Sequence, residues 1–176
     1  MQKVQLVLAL CLCVSYASAQ PIHAVEELEL ARYLGVWYEI ARKPVDTQKR
    51  CDQAAKTIYT LNENGQVAIE LHCINKEGHQ LQQTGEGFIA NPPFNSKLKV
   101  SYLPEAVRWI PVWRADYWIL KIDPAYQTVL VGEPKRQKLW LLSREPKLEH
   151  KVAQQYLNYA KTLGYNLDDL IYSQAK

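Results

Sequence analysis

The sequence predicts an all-β fold: an antiparallel sheet of eight strands, with one C-terminal α-helix packed on its outside. Three observations carry this prediction. Short runs of alternating apolar and polar residues recur along the chain, turn-forming residues separate them, and a run with helical spacing follows the last one. The 176 residues, of which 48% are hydrophobic, suffice for one domain with its own core.

Eight strands are predicted between tight turns. Asn-Glu-Asn-Gly at 62–65 is typical of a hairpin turn, and prolines interrupt the alternation elsewhere, because proline cannot donate a hydrogen bond within a central strand. The predicted strands are residues 36–42, 54–61, 66–74, 82–90, 97–102, 116–122, 127–132 and 139–144. Eight such strands favour an up-and-down barrel that holds one small ligand. A filled sandwich has nearly the same alternation, so the pattern leaves both open.

The helix is predicted over residues 149–163, after Pro146. Its apolar residues recur every three or four positions, and Gly164 follows as a natural C-terminal stop. They are Val152, Tyr156, Tyr159, Ala160 and Leu163. An amphipathic helix needs an apolar wall, and the strand at 116–122 is largely apolar on both faces, so we expect the helix to cover its outer face. A short ninth strand is predicted near 170–172.

Residues 1–19 have the pattern of a secretory signal peptide, which leaves residues 20–176 as a single domain. The apolar stretch near the start is too short to span a bilayer, and Ala-Ser-Ala at 17–19 is a typical cleavage site. Leucine precedes both Cys11 and Cys13, whereas lipoprotein processing requires a small residue there, so a lipid anchor is disfavoured. We therefore expect an exported protein, either periplasmic or secreted; association with the outer membrane stays open.

The predicted mature domain keeps two cysteines, Cys51 and Cys73. In an exported protein an even pair is more often a disulfide than a nucleophile. Counting across the turn at 62–65 does not place the two residues directly opposite one another. The predicted bridge therefore requires a bulge or a loop excursion. The alternative is a pair of free thiols, one of which serves as a nucleophile.

Charge and motifs argue against nucleic-acid binding, metal binding and catalysis. The net charge of +3, or +2 without the leader, is too small for the basic surface that nucleic acids require. The chain has no His-x-x-x-His, Cys-x-x-Cys or Gly-x-Ser-x-Gly motif. We therefore predict no metal, no cofactor and no enzymatic activity. Glu39 is predicted to share a face with Trp37, where its carboxylate would meet a ligand head group or a buried arginine.

Three short segments, in order along the chain, resemble the lipocalin family, including its bacterial outer-membrane members. Gly35-Val36-Trp37-Tyr38 opens the first strand, Asp123 lies in the turn after the sixth, and Leu142-Ser143-Arg144 ends the last. The resemblance covers essentially the whole mature chain, although Ile122-Asp123-Pro124 replaces the usual Thr-Asp-Tyr. It implies a barrel whose closed end is plugged by Trp37, with Arg144 stacked across the indole, Gly35 allowing close packing and Asp123 binding turn amides.

The same resemblance implies a cavity at the opposite, open end of the barrel. Carried onto this sequence, the family's inward face predicts the ligand-binding residues Tyr59, Ile69, Leu71, Tyr102, Tyr117, Ile119, Leu130, Trp140 and Leu142. Their aromatic rings offer apolar faces with hydroxyl or indole donors, which suit an amphipathic ligand such as a fatty acid or a lysophospholipid. The alternative is that these side chains simply fill the barrel.

The segment 103–114 is apolar and aromatic between two arginines, at the predicted mouth. Trp109 and Trp113 either form a lid or a membrane-facing lip, with Arg108 and Arg114 near phosphate head groups, or fold back over the rim. The leading functional prediction is a carrier of a small lipophilic ligand, as a monomer or a homodimer. The alternatives are an enzyme that uses a free cysteine and an envelope-interaction protein with a filled barrel.

Overall fold

The computed structural model describes residues 21–173, apart from the side chains of residues 53 and 54. The predicted signal peptide, residues 1–19, lies outside the described residues. Residues 21–173 form nine strands: β1 (Gly35–Arg42), β2 (Gln53–Leu61), β3 (Val67–Ile74), β4 (Gln80–Ile89), β5 (Lys97–Ser101), β6 (Ala115–Ile122), β7 (Thr128–Gly132), β8 (Leu139–Ser143) and β9 (Ile171–Tyr172). The described helices are α1 (Leu30–Tyr33) and α2 (His150–Thr162), with three short 3-10 helices. All predicted elements are present, with ends displaced by at most two residues.

The first eight strands close into an antiparallel barrel. Each strand from β2 to β7 pairs with the next along the chain, and β1 pairs with both β8 and β2. The eight-stranded barrel is therefore confirmed, and the sandwich is excluded because two packed sheets would leave free edges. Neither of the two described α-helices is long and apolar enough to cross a membrane.

The barrel wall separates two apolar clusters. The inner cluster contains Leu28, Tyr33, Trp37, Tyr59, Val67, Ile69, Leu98, Val100, Tyr117, Ile119, Tyr126, Val129, Val131 and Leu142. The outer cluster lies between the wall and α2 and contains Ala41, Leu120, Leu130, Leu139, Leu141, Tyr156, Leu157, Ala160, Leu163 and Tyr165. The Tyr156 hydroxyl also donates to the Thr128 carbonyl over 3.2 Å, which ties α2 to β7. The predicted helix on the outside of the barrel is confirmed.

Leu130 is predicted to face the ligand but belongs to the outer cluster. All of β7 is buried, because its inner face lines the barrel while α2 covers its outer face. Neither face of β7 therefore carries a charged residue that would identify it as the outer face. The sequence alone could not show which residues of β7 point into the barrel. Val129 and Val131 face the interior instead.

A β-bulge in β1 sets which of its side chains face inward. The pairing of β1 with β8 shifts register between Glu39 and Ala41, so β1 contains one extra residue there. Ile40 and Ala41 consequently both pack on the outer cluster. Glu39 and Arg42, three residues apart, then lie on the same side and form an ion pair, which regular alternation would not allow.

The four motif residues lie together at the closed end. The Arg144 guanidinium stacks 3.9 Å from the centre of the Trp37 ring. Its N–H groups donate to the carbonyls of Arg32, Tyr33, Leu34, Val36 and Tyr126. Gly35 has a φ of +98°, and a Cβ there would lie 3.3 Å from the guanidinium, so only glycine fits without strain. The Asp123 carboxylate accepts from backbone N–H groups of its own turn.

Candidate ligand-binding site

The barrel interior opens at the end opposite Trp37 and Arg144. A cavity of about 120 Å³ lies there, bounded by the barrel strands, by the segment after β1 and by the loop before β8. Its lining residues are Glu39, Val45, Asp46, Thr47, Gln48, Thr57, Tyr59, Leu71, Val100, Tyr102, Ala115, Asp116, Tyr117, Lys138, Trp140 and Leu142. Apolar and aromatic side chains form the walls, and charged side chains gather at the mouth. This arrangement suits an amphipathic molecule.

The structure brings most of the predicted ligand-binding residues to this cavity. Those that line it are Tyr59, Leu71, Tyr102, Tyr117, Trp140 and Leu142. Ile69 and Ile119 also lie inside the barrel, but they belong to the inner cluster below the cavity. Leu130 lies outside the barrel. Alternation thus identified the inner face, but it could not show the depth at which packed side chains end and the cavity begins.

Three tyrosine hydroxyls converge at the base of the cavity. The Tyr117 hydroxyl lies 2.7 Å from that of Tyr59 and 2.9 Å from that of Tyr33. Burial raises the pKa of all three well above its ordinary value, and it also raises the pKa of Tyr102 on the adjoining wall. These side chains are therefore neutral hydrogen-bonding groups at physiological pH. Tyr33 was not among the predicted site residues, because it precedes β1 and follows no strand pattern.

A buried polar network forms one side of the mouth. Glu39 and Arg42, which are 5% and 4% exposed, pair over 3.0 Å. The Gln48 side chain donates to the Glu39 carboxylate over 2.7 Å and accepts from the Trp140 indole N–H over 2.8 Å. Ser173 donates to the same carboxylate over 2.7 Å. The Glu39 carboxylate therefore pairs with a buried arginine, which was one of the two roles predicted for it. The indole N–H of Trp140 is bonded to Gln48.

Lysines accompany the carboxylates at the rim. Asp46 pairs with Lys49 over 2.9 Å, and Asp116 pairs with Lys99 over 2.7 Å. The hydrogen bond and the charge of Lys49 lower the pKa of the Asp46 carboxyl, and Lys138 at the mouth lowers it further. Both carboxylates are thus compensated, and Lys138 adds a positive charge where the head group of a ligand would lie.

The segment 103–114 projects its tryptophans away from the cavity. Trp109 and Trp113 are 70% and 64% exposed, and Val112 between them is 80% exposed. Arg108 donates to the carbonyl and hydroxyl of Thr84 on β4. Arg114 stacks on Phe88, also on β4, and donates to the carbonyls at positions 108 and 109. The two arginines thus brace the loop against β4, and the tryptophans neither line the cavity nor cover the rim.

Cys51 and Cys73 form a disulfide. The bridge is confirmed, and so is the irregularity that it requires: the pairing of β2 with β3 shifts register between Gln53 and Lys56. The disulfide packs among Ala55, Leu71 and Leu81 at the rim of the barrel. With both sulfurs bonded, neither is available as a nucleophile.

A second depression lies on the barrel wall where β1 and β2 separate. Past Tyr38, β1 pairs with β9 instead of β2, and the gap has a volume of about 430 Å³. It is more open than the interior cavity, and outward-facing side chains such as Lys56 and His72 contribute to its walls. Glu39 lines both spaces and separates them. The interior cavity, whose walls are mainly aromatic and aliphatic side chains, remains the better candidate for an apolar ligand.

Comparisons with known proteins agree with the fold. A family model described as a lipocalin-like domain matches residues 28–175. Temperature-induced lipocalin-1 of Arabidopsis thaliana is 36% identical over 154 residues, which cover 85% of this chain and 80% of that protein. The outer membrane lipoprotein Blc of Citrobacter freundii is 30% identical over 161 residues, covering 91% and 86%.

A solved structure shows the same fold at low identity. Insecticyanin from the tobacco hornworm Manduca sexta superimposes with a TM-score of 0.64 at 15% identity, over 90% of this chain and 87% of that one. The match to residues 28–175 spans the closed end, all nine strands and α2. The chain therefore belongs to the lipocalin family.

Proposed function

We propose that the chain is a non-enzymatic carrier that holds a single-chain lipid, a fatty acid or a lysophospholipid, in the barrel. The interior cavity carries this proposal, because its apolar walls end at a charged mouth. Each methylene buried there contributes about 0.8 kcal/mol, less the cost of ordering the chain. The head group lies at the mouth, near Lys138.

The size of the cavity favours one chain over two. A volume of about 120 Å³ is close to that of an apolar cavity of about 150 Å³ that admits benzene. It accommodates the buried end of one acyl chain, and the rest of the ligand must lie between the loops of the mouth. A lipid with two long chains does not fit this space.

We also propose that the protein is exported to the cell envelope or secreted, without a lipid anchor. Disulfides such as the Cys51–Cys73 bridge form and persist in oxidising compartments. Blc, one of the relatives, is named an outer membrane lipoprotein. The leader pattern of residues 1–19 supports export, and the leucines before Cys11 and Cys13 disfavour the anchor.

A peripheral membrane contact through residues 109–113 is the second part of the proposal. Exposed tryptophans lie favourably at the boundary between water and lipid, and an exposed apolar group of this size is unusual on a free surface. The bracing of Arg108 and Arg114 against β4 keeps Trp109 and Trp113 outward. Such a contact would bring the mouth close to the lipids from which a ligand is taken.

Titration of the purified protein with dodecanoic acid tests the carrier function. We expect saturable one-to-one binding by isothermal titration calorimetry and quenching of tryptophan fluorescence, because Trp140 lines the cavity. Trp140→Phe should lose most of the quenching, whereas Trp113→Phe, far from the lining, should keep it. Absence of binding heat, together with no lipid in the native mass spectrum, contradicts the proposal.

Flotation with phosphatidylcholine vesicles tests the membrane contact. We expect the protein to float with the vesicles and the double variant Trp109→Ser/Trp113→Ser to stay in solution while still binding dodecanoic acid. Equal flotation of both proteins would show that this loop makes no membrane contact.

A further inference from the structure

A free hydrogen-bond donor faces the interior of the cavity. Tyr102 lines the cavity, and its hydroxyl has no hydrogen-bond partner among residues 21–173. Burial, with the nearby hydroxyl of Tyr59, raises the pKa of Tyr102, so the phenol keeps its proton. The hydroxyl is accessible from the cavity, and an acyl chain that covers it without offering an acceptor would leave it unpaired, at a free-energy cost that a ligand oxygen would remove.

The neighbouring tyrosines are bonded to one another. The Tyr117 hydroxyl contacts those of Tyr33 and Tyr59, and Tyr59 is also bonded to Tyr33 and to Thr57. Each hydroxyl of this group therefore has a partner within it, which singles out Tyr102 as the donor that a ligand can engage.

Among residues 21–173, no cation forms a hydrogen bond with these hydroxyls. The charge of Arg144 acts on Tyr33, but the guanidinium is stacked on Trp37 and its N–H groups are bonded to backbone carbonyls. Arg42 is paired with Glu39. A carboxylate placed beside the tyrosines would lose its hydration without forming an ion pair, whereas a neutral carbonyl or hydroxyl oxygen needs only the hydrogen bond.

We infer that the ligand is a single-chain amphipath with a neutral oxygen acceptor near the end that enters the barrel first. The acceptor, a ketone, ester or hydroxyl oxygen, accepts a hydrogen bond from the Tyr102 hydroxyl. The ionised head stays at the mouth by Lys138. Oxygenated acyl chains are therefore preferred over saturated chains of the same length. This inference rests on the proposed carrier function and narrows its ligand class.

A matched pair of probes on the unaltered protein tests the inference. Dodecanoic acid and 11-oxododecanoic acid differ only in a ketone oxygen next to the terminal carbon, and a ketone accepts without adding a donor. In an apolar cavity without donors, the added oxygen would weaken binding about tenfold or more, because it loses its hydrogen bonds to water. With the Tyr102 donor present, we expect the ketone to bind at least as tightly, and up to about fivefold more tightly.

The outcomes separate the inference from the function on which it rests. Weaker binding of the ketone probe overturns the inference and leaves the carrier function standing. If neither probe binds, the carrier function fails and the inference fails with it. Tighter or equal binding of the ketone supports both.

Tyr102→Phe identifies the donor, with Tyr172→Phe on β9 as a matched control outside the cavity. We expect Tyr102→Phe to lower the ratio of the affinity for the ketone probe to that for dodecanoic acid about fivefold, since only the ketone uses the hydroxyl. The control should leave both affinities unchanged. An unaltered ratio of the two affinities in Tyr102→Phe would overturn the assignment of Tyr102.

Discussion

The two ends of the barrel use their polar groups in opposite ways. At the closed end, the guanidinium of Arg144 binds backbone carbonyls and stacks on Trp37, and the carboxylate of Asp123 binds backbone amides. At the open end, the Tyr102 hydroxyl has no hydrogen-bond partner among residues 21–173, and two tryptophans point into solvent. The polar groups of the closed end thus stabilise the fold, whereas the open end has the groups for which we propose contacts with a ligand and a membrane.

The segments before and after β1 differ in the same way as the two ends of the barrel. The segment before β1 is bound to Arg144 through several carbonyls at once. The segment after β1, which borders the cavity, depends on a few side chains: Gln48, Arg42 and the disulfide at Cys51. Substitutions at the closed end should therefore change the free energy of unfolding. Those at the mouth should mainly change ligand exchange.

Alkaline pH has the largest expected effect, because it acts on many buried tyrosines at once. Burial raises the pKa of Tyr156 and Tyr165 to about 12, and that of the cavity tyrosines further. The unfolded chain releases these protons near pH 10 and the folded chain keeps them. Stability is thus fully present below pH 10 and is lost as the pH rises towards the folded values, by about 1.4 kcal/mol per pH unit for each tyrosine.

Circular dichroism and tyrosinate absorbance measured together check this prediction. We expect the tyrosinate signal of the buried group to appear together with loss of β structure, between about pH 10 and pH 12. Ionisation of all the tyrosines near pH 10 in a protein that stays folded would show that the cavity is hydrated and its hydroxyls are not desolvated.

Trp37→Ala tests how much the closed end contributes to the free energy of unfolding. The indole is fully buried and stacked under Arg144, so its removal should cost about 3 to 5 kcal/mol in the free energy of unfolding. Trp113→Ala, the same change at the open end, should cost less than about 0.5 kcal/mol because the side chain is mostly exposed. Denaturant unfolding of both variants measures the contrast, and equal losses would refute it.

The disulfide is expected to contribute somewhat less. Cys51 and Cys73 are 22 residues apart, and a bridge of that span stabilises a fold by about 3 kcal/mol, mainly by restricting the unfolded chain. Cys51→Ser/Cys73→Ser should lower the denaturant midpoint accordingly and leave the closed end intact. Reduction of the native protein by dithiothreitol should reproduce the loss. If the double variant is as stable as the native protein, the rim segment is held by other contacts.

The sequence predicted the fold better than the cavity. Alternation and turn residues predict the number of strands, since both depend on local chemistry that a sequence displays. Closure into a barrel was implied only by the family resemblance that Gly35, Trp37, Asp123 and Arg144 carry. The position of Leu130 could not be predicted, because β7 is buried on both faces and its residues look alike from either side.

The residues that shape the mouth of the cavity could not be predicted from the sequence either. Gln48 lies in a 3-10 turn without periodicity, and its role depends on the bulge that brings Glu39 and Arg42 to one side. A bulge is a property of strand pairing and leaves no local signature here. Tyr33 reaches the cavity base from α1, outside every predicted strand. Most of the structural features that the sequence did not predict therefore depend on contacts between segments that are distant along the chain.

Gln48→Ala should have the smallest effect on stability and the clearest effect on exchange. The substitution removes the partner of the partly buried indole N–H of Trp140 and one donor to the Glu39 carboxylate, which should cost about 1 to 2 kcal/mol. Arg50→Ala, at an exposed residue of the same segment that does not line the cavity, is the matched control. Because Gln48 ties the segment after β1 across the mouth, dodecanoic acid should dissociate several-fold faster from Gln48→Ala than from the control in stopped-flow fluorescence. Equal dissociation rates would mean that the ligand leaves without displacing this segment, and that the gap between β1 and β2 is the path to examine.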